Sequence, residues 1–383
     1  MRDEAIESLR GFLIICVVLG HCTIHNFAQS LLGPAAKESF SCSLWYLTWA
    51  NLMGFVNVYY FHMPLFLGIS IFFVKKFSRS YSLSRANRIL LPYVFWYLLN
   101  FFLYHSYELL YGLATGSLSQ IKIYFFSLLA TIRNIITGTF LSLDSALWFL
   151  PTLFAANMGY SIYRLYNNKF FKVWKYSVNT PYVIILLLWV LMFIKIKEIT
   201  IMHAFSIIPF GVDIVLYLFP YFIFLEYVYN NRLMWSQINL FVYILTIVIS
   251  ISLISYFEPF KNITLKYFRI DFAHFYVPFT MVGFIAMSTL SAGIMMVFLK
   301  IGKANWLMYI GRYALPIYLL HLDVDLKVSR RLISFLINIY HENYTAVFIT
   351  YLLSIVLAIV IPITISKLLM KISPLFRYVG MEE

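Results

Sequence analysis

Apolar residues run through this chain in long windows, with neither the strict alternation of a half-buried strand nor the narrow stripe of a surface helix. Ten windows can be read, at about 9–28, 53–74, 88–110, 147–166, 181–197, 206–228, 237–256, 275–299, 305–322 and 344–368. As helices, segments of roughly 20 residues cross a hydrocarbon layer about 30 Å thick, so the pattern predicts an all-α, polytopic transmembrane helical bundle of about ten helices. The stretch 117–138, from Ser117 to Gly138, is also apolar. It is placed at the outer interface, because a crossing there would invert every later loop and carry the basic cluster Arg164 to Lys175 outside.

Polar residues matter most where they interrupt these windows. The first window reads Leu9-Arg10-Gly11-Phe12-Leu13-Ile14-Ile15-Cys16-Val17-Val18-Leu19-Gly20-His21. At 100° per residue, Arg10 and His21 fall within roughly 20° of one helix face and about 16 Å apart along its axis. A histidine stranded among Val, Leu and Ile is costly in lipid, which makes function its default reading. Burial favours the uncharged imidazole, the form a general base must have. Arg10 lies too far along the helix to touch His21, so it is read as steadying a donor phosphate or another helix at the cytoplasmic mouth.

Composition excludes a soluble fold: of 383 residues, 62% are hydrophobic and 12% charged, against about 25% charged in a soluble domain. The net charge of +13 could point to nucleic acid, but its distribution points to orientation instead. With the N-terminus in the cytoplasm, 18 of the 29 Lys and Arg fall on the inner side and 11 on the outer. That bias predicts both termini cytoplasmic and no nucleic-acid partner. Cys16 and Cys22 sit in the first window and Cys42 outside it, a spacing that offers neither a disulfide framework nor a metal site. The first window lacks a small-residue cleavage site and is read as a retained helix. Without repeats, low-complexity linkers or much chain after the last window, residues 1–383 read as one integral-membrane domain with no appended soluble domain.

A second concentration of chemistry lies between windows two and three, in Lys75-Lys76-Phe77-Ser78-Arg79 through Arg85-Ala86-Asn87-Arg88-Ile89-Leu90-Leu91-Pro92-Tyr93. Arg85 and Arg88 are three apart at a helix start, so their guanidinium forks share a side and could bind phosphate oxygens bidentately. Ordinary positive-inside charge is the alternative reading of the same residues.

Taken together, five motifs resemble the acyltransferase-3 family of integral-membrane O-acyltransferases. They are Arg10-x10-His21, Phe61-His62-Met63-Pro64-Leu65-Phe66, Arg85-x-x-Arg88 with Leu90-Leu91-Pro92-Tyr93, Leu147-Trp148-Phe149-Leu150-Pro151, and Ile310-Gly311-Arg312-Tyr313-Ala314-Leu315-Pro316 running on to His321. The resemblance runs from Arg10 to about Met370, and the Phe-His-Met-Pro form is similar to the fucose 4-O-acetylase-like branch. One departure stands in window two, where the family usually reads Phe-x-Ile-Ser-Gly and this chain has Leu67-Gly68-Ile69-Ser70-Ile71.

The resemblance implies acetyl-CoA as acyl donor, His21 as the catalytic residue with Arg10 as its conventional partner, and Arg85 and Arg88 as part of the CoA site. In this reading a sugar hydroxyl attacks the thioester beside His21 while the phosphates stay with the arginines. Toward the outer half, His62, Asp144, Trp148 and His321 are candidates for lining the approach of an acceptor glycan or lipid-linked glycan. Each alone is also compatible with a helix–helix hydrogen bond or an interfacial anchor. Tyr93, Phe95, Trp96 and Tyr97 read as interface anchors, and no flavin, haem or metal is expected. The expectation is therefore a multi-pass O-acetyltransferase of the bacterial cytoplasmic membrane acting on surface polysaccharide. A glycan or glycolipid transporter or flippase is the alternative, and it would have no need of a CoA site.

Overall fold

Prolines decide where three of the motif-bearing helices begin. Each has proline as its third residue: α3 (His62–Ile71) starts His62-Met63-Pro64, α6 (Phe149–Tyr166) starts Phe149-Leu150-Pro151, and α12 (Ala314–Asp323) starts Ala314-Leu315-Pro316. A proline ring excludes the carbonyl four residues back and donates no hydrogen bond, so it is tolerated in a first turn and breaks a continuous helix upstream. The break before α3 is a short 3-10 turn, Val58–Tyr60, after Asn57 has left helical geometry. Before α12 the chain turns at Tyr313, so the expected ninth span, 305–322, is two helices: α11 (Asn305–Arg312) and α12.

The computed structural model describes residues 3–22, 41–138, 147, 149–166, 170–173, 176–179, 187, 189–190, 209–257, 280–323 and 343–381. Asp144, Trp148 and most of the expected span 181–197 lie outside the described residues. The remaining elements are α1 (Glu4–His21), α2 (Leu44–Val56), α4 (Arg79–Thr115), α5 (Leu118–Thr137), α7 (Val212–Asn230), α8 (Arg232–Trp235), α9 (Leu240–Phe257), α10 (Met281–Ile301) and α13 (Tyr344–Ile372). Among the described residues four helical segments are long and apolar enough to cross a membrane: Leu44–Ile71, Arg79–Thr115, Met281–Ile301 and Tyr344–Ile372. Shorter apolar helices cover Ile214–Asn230 and Leu240–Tyr256. Large side chains such as Phe241, Ile244, Leu245 and Ile249 on α9 stand exposed, as lipid-facing residues do and as core residues of a soluble fold do not. To the helices the structure adds one short hairpin, in which β1 (Phe170–Val173) pairs antiparallel with β2 (Tyr176–Asn179), Phe170 opposite Asn179.

Two compact units are formed. The first comprises Met1–Ile69, Phe224–Pro374 and Met381–Glu383. Within it α1 packs on α10, α11, α12 and α13. Contacts advance in step along α1 and α11–α12: Lys303 Nζ bonds Glu4 Oε1 at 3.1 Å, and the Ala304 amide donates to Ser8 Oγ at 3.0 Å. Further along, a Cβ added to Gly11 would overlap the backbone carbonyl of Leu307, and one added to Gly311 would come within 2.5 Å of the Glu7 carbonyl oxygen. The helices therefore run in the same direction and cross with backbone against backbone, as small residues allow in membrane bundles. Beside them α9 and α10 form an antiparallel pair, with Ser250 Oγ 2.9 Å from Thr289 Oγ1.

The second unit comprises Ser70–Ile223 and Leu375–Gly380. Its longest element is α4, 37 residues with Pro92 inside, capped at its start by Ser78 and at its end by left-handed Gly116. There α5 turns back along α4, placing Phe101 against Tyr124 with ring centroids 5.2 Å apart. The aromatic run of window three faces inward more than the interface-anchor reading allowed. Tyr93, Trp96 and Tyr97 are buried, Tyr93 donates to the Asn134 carbonyl at 3.0 Å, and Trp96 Nε1 donates to the Val379 carbonyl at 2.8 Å. Their polar tips find carbonyls inside the unit, which outweighs solvation at a membrane edge. On α6, Asn157, Ser161 and Arg164 share a face. Asn157 Nδ2 donates to Ser70 Oγ at 3.3 Å, the Ser161 carbonyl accepts from the Phe77 amide, and Arg164 donates to the Val74 carbonyl. Ser70, in the motif whose glycine has moved to Gly68, is thus held by a side chain of α6.

Gly11→Ala should force α1 away from α11 and cost about 1–3 kcal/mol, the usual penalty of overpacking. Gly159→Ala meets only atoms at 3.7 and 3.8 Å and gains helix propensity, so it should be neutral or stabilising. Thermal unfolding of the two purified variants, followed by size-exclusion chromatography, checks the contrast.

Candidate active site

The site grows from the unsatisfied end of α1. A helix leaves its last carbonyls without intrahelical partners, and in a low-dielectric interior each must be met by another donor. Helix α1 stops at Cys22, whose amide bonds back to the Val18 carbonyl at 2.8 Å. Two tyrosine hydroxyls supply further donors: Tyr59, from the 3-10 turn before α3, reaches the Gly20 carbonyl at 2.6 Å, and Tyr351 of α13 reaches the Cys22 carbonyl at 2.9 Å. Trp49 Nε1 in turn donates to Tyr351 Oη at 3.1 Å. Gly20 has no side chain because Tyr59 lies over it; an added Cβ would sit 3.1 Å from the ring.

His21 is therefore the last helical residue of α1, pinned by hydrogen bonds to the carbonyls on either side of it, and it is half-buried. The apolar window 9–28 places this imidazole within a span, whereas the structure puts it at a helix end. Its ring lies 5.1 Å from that of His321 at an interplanar angle of 50°, and 6.5 Å from Tyr59 at 87°, an edge-on contact. Tyr59 also meets the ring of His62, 5.1 Å away. Three candidates from three motifs are thus linked at one helix end: His21 meets both His321 and Tyr59, and Tyr59 meets His62.

His62 and His321 are both fully buried and are held in the same way. His62 Nδ1 lies 2.6 Å from the Val58 carbonyl oxygen. His321 Nδ1 lies 3.1 Å from the Ile317 carbonyl and 2.8 Å from the Tyr318 carbonyl. A carbonyl oxygen only accepts, so Nδ1 of each ring carries the proton, and in the neutral ring Nε2 carries the lone pair.

Arg10 lies about three turns before His21 and is placed beside Glu7, its Nη1 4.0 Å from Glu7 Oε2. This end of α1 is polar: the Asp3 carboxylate caps the helix and accepts from Tyr229 Oη at 2.8 Å, and Glu4 meets Lys303.

In the second unit, Arg85 Nε donates to Tyr81 Oη at 3.0 Å and its guanidinium stands 5.2 Å from the centroid of the Tyr81 ring. Arg85 is half-buried against this ring in the second turn of α4. Arg88, one turn on, is exposed, as are Lys75, Lys76 and Arg79. The five cations surround a helix start, whose free amides add to the attraction for an anion.

Among the described residues no group of three or more His, Cys, Asp or Glu side chains is arranged to hold a metal ion. Cys16, Cys22 and Cys42 are free thiols.

Sequence reasoning passed over Tyr59, Tyr351 and the pair Gly11/Gly311. A signal for the last was present: Gly11 and Gly311 each precede a histidine by ten positions. In the structure the two histidine rings do meet, although the chain turns at Tyr313 between Gly311 and His321. The tyrosines left no such trace among 30 in the chain.

Comparison with known proteins adds a family. The family described as "Acyltransferase domain" matches residues 3–367, which include every site residue discussed above. No curated protein and no solved structure matches the chain.

Tyr351→Phe removes the donor to the Cys22 carbonyl and should lower stability by about 1–3 kcal/mol, the cost of an unmet buried acceptor. Tyr59→Phe should do the same at Gly20. Melting temperatures of the two variants and of their combination test whether both hydroxyls secure the helix end.

Proposed function

Because the chain belongs to the acyltransferase-3 family, we propose that this membrane acyltransferase moves an acetyl group from cytoplasmic acetyl-CoA to a hydroxyl of a cell-surface or lipid-linked glycan. The proposed enzyme works in the bacterial cytoplasmic membrane with about ten spans and both termini inside, and belongs to the fucose 4-O-acetylase-like branch. The observation that carries the reading is the half-buried imidazole of His21 at the end of an otherwise apolar helix run, held against His321 and Tyr59. A neutral ring in such surroundings has the one property general-base catalysis requires, a lone pair near the reacting groups.

In the proposed reaction His21 takes the proton of the acceptor hydroxyl as its oxygen bonds to the thioester carbon. The carbon–sulfur bond then breaks, and the same proton passes from His21 to the departing thiolate. Ester and CoA thiol are the products, and no proton is left over. Arg85 and Arg88 are assigned to the donor's phosphates, a reading that the exposure of Arg88, Lys75, Lys76 and Arg79 supports. Arg10 is assigned to a donor phosphate or to a helix contact at the cytoplasmic mouth. His62, His321, Asp144 and Trp148 are assigned to the acceptor side. Keeping the phosphates with the arginines and sending only the acyl end toward His21 avoids burying charge.

Membranes supplied with radiolabelled acetyl-CoA should incorporate label into polysaccharide. His21→Ala should reduce incorporation by about 10²–10⁴-fold, the usual worth of a positioned acid–base group; wild-type incorporation by this variant would sink the proposal. Arg85→Ala or Arg88→Ala should instead raise KM for acetyl-CoA by about 10- to 100-fold, matching the 1.5–3 kcal/mol of a hydrogen bond to a charged group.

A further inference from the structure

We propose that Arg164 of α6 is a positioning residue for the acyl donor: it fixes the turn between α3 and α4, so that Lys75 and Lys76 stand where the donor's phosphates bind. The inference rests on the assignment of Arg85 and Arg88 to those phosphates. It adds two binding residues and the group that places them.

The connection from α3 to α4 carries the observation. Residues 72–78 have neither helix nor strand of their own, and Val74 is the one buried residue among them. Backbone without regular structure has to find its hydrogen bonds elsewhere, and here it finds them on α6. Ser70 Oγ accepts from Asn157 Nδ2 at 3.3 Å, and the Val74 carbonyl accepts from the Arg164 guanidinium. The Phe77 amide donates to the Ser161 carbonyl at 3.2 Å, and Ser82 Oγ donates to Met158 Sδ at 3.0 Å. Taken in chain order, the partners on α6 are residues 157, 164, 161 and 158. The connection therefore runs about two turns along α6, reverses at Arg164 and comes back toward α4.

Arg164 sits at the point of reversal, and the two residues that follow Val74 are Lys75 and Lys76. Both lysines are exposed, as is Arg79. The Val74 amide closes a local turn on the Ile71 carbonyl at 3.0 Å; the Arg164 bond ties that turn to another helix. The guanidinium also stands 5.4 Å from the centroid of the buried Tyr160 ring, one turn earlier on α6, a contact that further restricts its side chain.

The choice of a cation for this task suits an anion-binding turn. A carboxylate anchor would neutralise the lysines, whereas arginine makes a charge-assisted bond to the carbonyl and leaves the positive field intact. A turn already held in place also binds its ligand without a further loss of conformational freedom.

The test uses the full chain. In nanodiscs of phosphatidylcholine without donor, hydrogen exchange over residues 72–78 should be at least about tenfold faster in Arg164→Met than in wild type. Arg164→Lys keeps a charged donor and should stay within about threefold of wild type. Adding CoA should slow exchange of the wild-type segment, and adding phosphatidylglycerol to the discs should not. In membranes given radiolabelled acetyl-CoA, Arg164→Met should raise KM for the donor by about 3- to 10-fold, less than a direct bond to a charged group contributes, with kcat unchanged. Lys75→Ala/Lys76→Ala should raise KM as well. On that background Arg164→Met should add less than about twofold, because the residues it positions are gone. Unchanged exchange in Arg164→Met, a KM effect that adds in full to that of the lysine pair, or protection by phosphatidylglycerol and not by CoA would each overturn the proposal. Should Arg164→Met fail to accumulate, Arg164→Gln replaces it: the amide falls short of Val74, so the glutamine variant must exchange fast where the lysine variant is protected. A normal KM in Arg164→Met beside a raised one in Arg88→Ala removes this inference alone, whereas a normal KM in both removes the donor-site reading with it.

Discussion

The contact of Gly11 with the backbone of α11 governs the first unit. Two helices that touch through carbonyl and Cα atoms cannot slide or rotate without overlap, and neither can retreat without opening a gap that lipid or side chains must fill. The polar contacts before it, Glu4 with Lys303 and Ser8 with the Ala304 amide, hold the same register. So does the histidine pair beyond it. An error of one residue at the glycines would leave a side chain where a backbone must pass.

A second requirement acts at the ends of helices. The solvent that would satisfy a helix terminus in a soluble protein is missing here, so tyrosine hydroxyls, tryptophan indoles and histidine Nδ1–H groups are spent on carbonyls. Tyr59 and Tyr351 do this at the end of α1, Tyr93 in the last turn of α5, and Trp96 at the Val379 carbonyl. The prolines that start α3, α6 and α12 belong to the same economy of hydrogen bonds, since a first turn has amides to spare and a proline lacks one. This explains why the motif segments pair a proline with a polar or aromatic residue: the proline makes a helix boundary, and the boundary exposes backbone that only a directed donor can serve.

Among the described residues, the side chains placed against His21 are aromatic rings. Around His21 stand two more imidazoles and a tyrosine whose hydroxyl is committed to a backbone carbonyl. At the far end of α1, Glu4 pairs with Lys303 and Glu7 with Arg10, while the Asp3 carboxylate caps the helix. An acyl thioester is itself neutral, as is a sugar hydroxyl, and the proposed chemistry moves one proton between neutral partners through one transient cation. A reaction between neutral partners suits an apolar interior better than one that builds lasting charge there.

Much about this protein is decided by residues near one another in the chain. The apolar windows, the Arg10–His21 face, the arginines at the start of α4 and the helix boundaries set by Pro64, Pro151 and Pro316 are all local. Hydropathy, helical periodicity and the steric demands of proline act over one to five turns, so they can be read without knowing what lies opposite. The tertiary structure alone decided which residues meet across the chain: that His21 ends its helix, that Tyr351 closes it from 329 positions away, that Tyr93 and Trp96 turn inward, and that His321 faces His21. Those outcomes depend on the register between helices. Register comes from the packing of two surfaces at once, through contacts such as Gly11 on Leu307, and neither strand of sequence contains it alone.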